Sequence, residues 1–592
     1  MDRMGKILAH RGPNDMNFVS LDKVSLGYRR LAIIDLKGSF QPLYSEEKDI
    51  TLVFNGEIYN YPELREELRQ THQFRTRGDG ETIVHWYEDR QTAGFATLNG
   101  MFGFALSDLP RKKVYLVRDH FGIKPLYYAA FDKKLIFASE IKAILEGFKE
   151  LKMKPTPNDK VINNYLFNRV HDNSEETFFT GIKRLLPGNF LEWDLQNDDF
   201  TVQAYWSLKK KGALGRELRS NQELVTDFRK LFFDSVRMRL MSEVPVGTAL
   251  SGGLDSSAVV CAINQEIKDQ VVENPQSLGE RQRTFSAVFP GAVNNEESYI
   301  NEVIRVTGVT NFKVTPKREE MWPDLEKVIY HQDEPMISSG PYAQWKVMEL
   351  AAKNGMKVLL DGQGADEMLA GYLPYYFVYF RELIKGMKVM EAMGEVIKSR
   401  DAVWPLLIEK ILNLLKIKKS LRVAELFTAS VSAAPVINND LNRRLDEDIF
   451  ANSLPALLRY EDRNSMAFSL EARVPFLDYR LVEFVTNLPA NLKIRGGWNK
   501  WIMREGLKDI LPEKIRRRRW KVGFTTPEIS WLRESKKEIL EIFNSETFLK
   551  RPYFNSAKIR EKFLEFTDGK NDESLVFWRI INLELWLRIF ID

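Results

Sequence analysis

At 592 residues the chain is longer than one hydrophobic core organises, so at least two domains are expected. Lys+Arg 86 against Asp+Glu 82 leaves a formal charge of +4, too weak a field to gather nucleic acid or an anionic membrane surface. A single cysteine, Cys261, excludes an internal disulfide and fits a reducing, cytoplasmic compartment; the six histidines show no HExxH and no Cys/His zinc or iron spacing.

In chain order, LAIIDL (31–36), ITLVFNG (50–56), KVYLVRD (113–119) and KLIFASE (134–140) read as short strands ending in polar or Gly residues. YPELREELRQ (61–70) reads as a helix with Pro62 in its first turn, and LLPGNFLEWDLQNDDF (185–200) as a late hairpin. This first domain spans 1–195, and the polar, Gly-containing stretch within 196–221 reads as a linker. From residue 222 the rhythm changes: VPVGTAL (244–250), TFSAVF (284–289) and KVLLDG (357–362) are buried-strand runs separated by long helical stretches. That alternation predicts a parallel, helix-covered sheet. Beyond about residue 373 the pattern is helical, and 375–425 is expected to pack amphipathically on the domain rather than on a membrane. No apolar run is long enough to span a bilayer and Met1 opens no signal peptide.

In VPVGTALSGGLDSSAVVCAINQ, a buried strand ends at Leu250 and Ser251-Gly252-Gly253-Leu254-Asp255-Ser256-Ser257 turns straight into a helix. Glycines admit close backbone approach, successive N–H groups form an anion nest, and the helix N-terminus and three hydroxyls add donors. The loop lacks the Lys of GxxxxGK[ST] and resembles the ATP-pyrophosphatase (PP-loop) family, which implies cleavage of ATP between its α- and β-phosphates. A second turn, Asp361-Gly362-Gln363-Gly364-Ala365-Asp366-Glu367, follows a later strand and is expected to face the first across the strand ends. Asp255 and Asp366 then become candidates to hold Mg²⁺ over the phosphates, with Ala287 near the adenine; a capped helix start is the plainer reading of Asp366 and Glu367.

SGGLDSS and DGQGADE, with SMAFSLEARVPFLD (465–478) and GGWNKWIMRE (496–505), resemble the glutamine-hydrolysing asparagine synthetases. The first part agrees: HRGP, RRLAIIDL, FNGEIYN, GDGE, NGMFGFAL, RDHFGIKPLYY and FASEIKA are similar to that family's glutaminase domain. The resemblance implies an α/β multidomain protein. An incomplete Ntn-type glutaminase sandwich is followed by a PP-loop parallel α/β synthetase domain (222–592) with a helical C-terminal part. It also implies that Arg30 grips a glutamine carboxylate, that Asn55 and the Gly56 N–H form an oxyanion hole, and that Glu57 and Asp79 take the α-ammonium.

Family members open Met-Cys-Gly-Ile, where the cysteine attacks glutamine. Here HRGP comes almost at once and no cysteine precedes it, so the expectation is a domain without its front end and a chain that uses ammonia. Cys261, on an apolar helix face, is expected to be a buried structural thiol.

For the second domain the resemblance implies acyl-adenylate formation from ATP and a carboxylate, then displacement of AMP by ammonia. Lys500 matches the family's catalytic lysine. Asp462, Arg463, Ser465, Glu471 and Arg473 fall in a stretch resembling the part near the acceptor, although Arg473 reads equally as an ion-pair partner of Glu471 or Asp478. RRRRW (516–520) reads as a solvated face or a late ATP contact. Many relatives carry Glu where this chain has Gln363, which removes a negative charge beside the adenylate. The resemblance makes aspartate the leading acceptor, and the departure at Gln363 keeps a carboxylate on a sugar or cell-wall precursor as its competitor; a ligase that never uses glutamine and a non-catalytic nucleotide-binding scaffold are the other readings. The partners expected are small molecules, with a homodimer open.

Overall fold

The structure, a computed structural model, describes residues 1–209, 219–292, 295–414, 423–428, 438–519 and 526–592. Most of the polar stretch 209–221, the end of 375–425 and Trp520 lie outside them.

The first domain holds eleven strands: β1 (Asp15–Leu21), β2 (Val24–Arg30), β3 (Leu43–Tyr44), β4 (Ile50–Ile58), β5 (Gly100–Asp108), β6 (Lys113–Arg118), β7 (Tyr127–Phe131), β8 (Lys134–Ala138), β9 (Lys183–Arg184), β10 (Asn189–Asp194) and β11 (Asp199–Ala204). Six form an antiparallel sheet in the order β11-β10-β6-β5-β4-β3, while β8-β7-β9 and the hairpin β1-β2 form separate smaller sheets. Strand β5 is buried along its whole length because both its faces are covered. Phe102, Phe104 and Leu106 pack under helices Tyr61–Leu68 and Gly80–Arg90 through Leu64, Ile83, Val84 and Tyr87. On the opposite face Ala105, with Val53 and Leu116, meets Leu26 and Tyr28 of β2 and Leu126 and Tyr128 at β7, which makes a sandwich.

The second domain opens with a capping box. Ser220 Oγ accepts from Glu223 N (3.3 Å) and the Glu223 carboxylate accepts from Ser220 N (2.7 Å), starting helix Asn221–Met238. Strands β12 (Val246–Ala249), β13 (Arg283–Ala287), β14 (Thr310–Val314), β15 (Val358–Leu360) and β16 (Glu471–Arg473) form a parallel sheet in the order β14-β13-β12-β15-β16. Apolar positions of Asn221–Met238 and Leu254–Lys268 cover one face of this sheet; Val347, Met348 and Ala351 of helix Gly340–Lys353 cover the other. Helix Ser574–Phe590, buried on nearly every side, ties the helical C-terminal part to helices Ile141–Glu150 and Asp159–Asn168 of the first domain. Among the described residues no helix is long and apolar enough to cross a membrane.

Three expectations from the sequence change. LAIIDL (31–36) is not a strand: its backbone bonds are divided between its own domain, where Ala32 N donates to Asn14 Oδ1 (3.0 Å), and the other domain, where Glu243 N donates to Ile33 O (3.0 Å) and the Glu243 carboxylate accepts from Asp35 N (2.8 Å). Ile33 then inserts into the core of the second domain. The stretch 196–221 begins with β11, which pairs with β10 from Asp199 to Ala204 and extends the hairpin past residue 195. The helical region after residue 373 contains β16, whose three residues complete the parallel sheet beside β15. Within 375–425, helix Val389–Lys398 buries Ala392 and Glu395 and leaves Met390 and Ile397 exposed.

Ion pairs join the domains. Arg11, in HRGP, donates bidentately to Asp462 (2.7 and 2.9 Å) and also to Glu140 (2.9 Å), all three buried. Arg184 reaches Glu334 at 3.0 Å, and Arg459 reaches back to Asp172 at 3.1 Å.

Candidate functional site

Strand β12 ends where the chain must reverse sharply into a helix, and Gly252 (φ +74°) makes that reversal. A Cβ there would lie 2.9 Å from Ile300 N, so a side chain is excluded by space as well as by conformation. Ser251 and Ser256 close the loop on itself, Oγ to Oγ at 3.0 Å, and helix Leu254–Lys268 starts directly behind it. In the sheet Thr248 is level with Leu360, which brings the loop after β15 alongside. The contact is close: a Cβ on Gly362 would sit 2.9 Å from both Asp255 Cβ and Ser256 N. The two loops meet at the carboxyl ends of adjacent parallel strands, where the order turns from β13 on one side to β15 on the other.

Lys500 closes the arrangement. It stands in the left-handed region (φ +53°) at the start of helix Trp501–Gly506. Its Nζ lies 2.5 Å from Asp255 Oδ1 and 2.5 Å from Asp366 Oδ1, so both carboxylates converge on one positive charge. Burial pulls the Lys500 pKa below its ordinary value, against the opposing field of Asp255. The loop before it is held from outside: the Glu395 carboxylate accepts from Gly496 N (2.7 Å) and Gly497 N (2.8 Å). Gly371 leaves the room Lys500 needs, since a Cβ there would lie 1.8 Å from Asp366 Oδ1 and 2.3 Å from Lys500 Cε. Gly371→Ala is therefore expected to lower turnover at this site by roughly 10²-fold while leaving the fold intact, as misplaced reacting groups do. Steady-state rates beside a circular-dichroism melt would check this, and wild-type turnover would refute it.

A cavity of about 260 Å³ gathers Ser251, Gly253, Asp255, Ser256, Asp361, Gly362, Gln363 and Lys500. Asp366 reaches it through Lys500. Leu250, Gly252, Ser257 and Ala287 do not line it: Leu250 and Ser257 are buried beneath the loop, Gly252 shapes it, and Ala287 closes β13. The sequence reading missed Gln344, Asn499, Arg504 and Glu461. Glu461 is buried and takes hydrogen bonds from Gln344 and, at 3.4 Å, from Gln363; burial first and Asp361 second push its pKa well up. A carboxylate thus lies beside Gln363 even though position 363 itself is neutral. Of the arginine run, Arg518 and Arg519 line the cavity and Arg518 donates to Gly252 O (3.0 Å), whereas Arg516 and Arg517 pair with Glu513.

A second cavity, of about 430 Å³, lies in the first domain, and Arg30, Asn55, Gly56, Glu57 and Asp79 all line it. Gly56 (φ +142°) could carry no side chain, because a Cβ would lie 1.9 Å from Met101 O. Asn55 donates to Ser139 Oγ at 3.4 Å, and Arg30 donates to the carbonyls of Asp35 (2.8 Å) and Leu36 (3.2 Å). Burial pushes the Asp79 pKa up to about 6 although Ile58 N–H donates to its carboxylate. Glu57 is also raised well above the carboxylate range, by burial first and then by Asp79 and Glu471. Its counter-charge comes from the second domain: Arg473 Nη2 stands 3.3 Å from Glu57, and its Nε donates to Glu471 at 2.9 Å. Asp478 pairs instead with Arg480 (2.8 Å) and Asn99 (3.0 Å). Cys261 lies on the buried face of helix Leu254–Lys268, where burial pushes its thiol up to about 12, so it supplies no thiolate.

The asparagine synthase family model matches residues 227–588, and the glutamine amidotransferase domain model matches 1–206. The chain is 32% identical to glutamine-hydrolyzing asparagine synthetase 3 of Bacillus subtilis (strain 168), over 87% of this chain and 82% of that protein. It is 28% identical to glutamine-hydrolyzing asparagine synthetase 1 of the same organism, over 100% of this chain and 93% of the relative. The amidase chyE of Penicillium rubens is 26% identical over 86% of this chain and 82% of its own length. Two facing loops around one buried lysine, behind a domain with its own polar cavity, agree with those matches. The chain belongs to the asparagine synthase family, ATP-dependent amidotransferases that form carbon–nitrogen bonds.

Proposed function

We propose that the chain amidates aspartate to asparagine in two steps around Lys500. A carboxylate oxygen of aspartate attacks the α-phosphorus of ATP, forming an acyl-adenylate while pyrophosphate leaves. Ammonia nitrogen then bonds to the acyl carbon, the acyl–oxygen bond breaks, and AMP departs. The observation that carries this reading is the Lys500 ammonium held between Asp255 and Asp366 at the mouth of the SGGLDSS loop. A buried charge held in place stabilises negative charge that builds on phosphate and on the tetrahedral carbon. Ser251, Gly253 and Ser256 supply donors for the pyrophosphate, with Arg518 beside them. Gln363 borders the adenylate and donates to Glu461.

Two carboxylates converging on one cation suit Mg²⁺, which Asp255 and Asp366 would hold; bound there it would neutralise phosphate charge. The buried Cys261 thiol is no nucleophile for glutamine, and the nitrogen donor we propose for the reaction at Lys500 is free ammonia. The cavity lined by Arg30, Asn55, Gly56, Glu57 and Asp79 keeps the charges of a glutamine site. If Asp79 takes the α-ammonium, L-glutamine binding weakens as pH falls through about 6 and its carboxylate gains a proton. Calorimetric titration of L-glutamine across that range tests this; affinity that does not change with pH, or that survives Asp79→Asn, rejects it.

The deciding experiment supplies aspartate and Mg-ATP with ammonium or glutamine in separate reactions and follows asparagine and AMP by mass spectrometry. Asparagine from ammonium alone is the expected result. Asparagine from glutamine refutes the nitrogen-source reading, and AMP without asparagine moves the acceptor to another carboxylate.

A further inference from the structure

Away from both cavities, on the outer face of the first domain, three chain segments bring two imidazoles and two carboxylates to one point. Glu46 comes from the turn between β3 and β4, His72 from the turn after helix Tyr61–Leu68, and His85 and Glu88 from one face of helix Gly80–Arg90. One ligand atom of each lies within 4.8 Å of all the others. His85 Nδ1 is 2.7 Å from Glu88 Oε2 and 3.5 Å from Glu46 Oε2; His72 Nδ1 is 3.3 Å from Glu46 Oε1 and 3.7 Å from Glu88 Oε2. A tetrahedral Zn²⁺ with bonds of about 2.0–2.1 Å sets its ligand atoms about 3.3 Å apart. These spacings scatter around that edge length, so a cation at the centre needs only small side-chain movements.

The outward nitrogens strengthen the case. His72 Nε2 lies 3.0 Å from Asp89 Oδ1, and His85 Nε2 faces Glu81 Oε1 at 3.7 Å. Behind His72 the Asp89 carboxylate favours the tautomer with hydrogen on Nε2 and a lone pair on Nδ1 directed inward, the outer-shell pattern of metal-bound histidine, whereas Glu81 stands beyond hydrogen-bond reach of His85 Nε2 and contributes only its charge. The rings stack at 4.6 Å between centroids, which keeps both inner nitrogens on the same side. With Glu81 and Asp89 included, four carboxylates surround two imidazoles, a surplus of negative charge suited to a dication. We infer that Glu46, His72, His85 and Glu88 form a transition-metal site of Zn²⁺ chemistry that acts structurally. The metal would pin the 72–79 loop to helix Gly80–Arg90, whose preceding residue is Asp79 and whose first-turn Glu81 accepts from Arg75 N (2.8 Å) and Thr76 N (2.7 Å).

The ligands lie far apart in sequence except for His85 and Glu88, so no local motif announces them. The test uses the full chain, incubated with zinc chloride, freed of loose metal by dialysis, and assayed by mass spectrometry for zinc per chain. The expected result is stoichiometric zinc in the wild type and loss of that zinc in both His72→Gln and Glu88→Gln. A melting temperature that zinc raises and a chelator lowers is expected in the wild type alone, and cobalt(II) loading should give the intense visible bands of a four-coordinate site. Sub-stoichiometric zinc in the wild type would overturn the inference and leave the imidazoles held by protons alone. Zinc retained equally by both variants would overturn it too, by placing the metal elsewhere.

Discussion

Lys500→Met is expected to lower ammonia-dependent asparagine formation by about 10³-fold, close to 4 kcal/mol of lost transition-state stabilisation. The lysine charge touches both loops, 2.5 Å from Asp255 and 2.5 Å from Asp366. Methionine keeps the length of the side chain and most of its packing, so the loss falls on charge. ATP should still bind, because the loop donors and the two carboxylates remain, and the deficit belongs in kcat rather than KM. Lys500→Arg should not restore activity: the closeness of Gly371 to Lys500 Cε leaves no space for a planar guanidinium. Pyrophosphate release and nucleotide affinity, measured separately, check both parts. A variant within tenfold of wild type would show that Lys500 does not act on the reacting centre.

Arg473→Met is expected to destabilise the protein by about 3–5 kcal/mol, because the guanidinium lies among buried carboxylates and its removal leaves them uncompensated. It neutralises Glu57 and Glu471 and donates to the carbonyls of Arg239 (3.0 Å) and Met241 (2.6 Å). The dependence on pH has a definite sign. Glu57 already has a folded-state pKa above its unfolded value, so its contribution is fully present below the unfolded pKa and is lost as pH rises through the folded one. Without Arg473 the folded pKa climbs further, so the loss relative to wild type should be larger at about pH 8 than at about pH 5.5. Denaturant unfolding at the two pH values measures this, and equal losses would refute the electrostatic account.

Much of this was legible in the sequence wherever the signal was local. The strand–glycine–helix passage at 246–268 announces itself because a buried run, a positive-φ glycine and a helix start occur within a few residues. The five residues of the first-domain cavity were found by resemblance, and the fold brings all five to the lining of one cavity. What stayed hidden depended on distant partners. LAIIDL has the composition of a strand, but Ile33 and Asp35 direct backbone bonds to Glu243, more than two hundred residues away. Strand β16 is too short for its alternation to register, yet Arg473 within it fixes both the edge of the sheet and the charge balance of the other domain. Glu461 carries no local signal of its own; its position beside Gln363 and Gln344 exists only after the sheet has formed.

The buried ion pairs between the halves bear on how such a protein changes over generations. Arg11 with Asp462, Arg184 with Glu334 and Arg473 with Glu57 each place one member in either half, and all six are buried. A front half grafted from a relative would bring its own residues to positions 11, 57 and 184, and any mismatch would strand an ion in the interior. Exchanging one half for a relative's is therefore expected to succeed only where the partners at positions 462, 334 and 473 are exchanged with it.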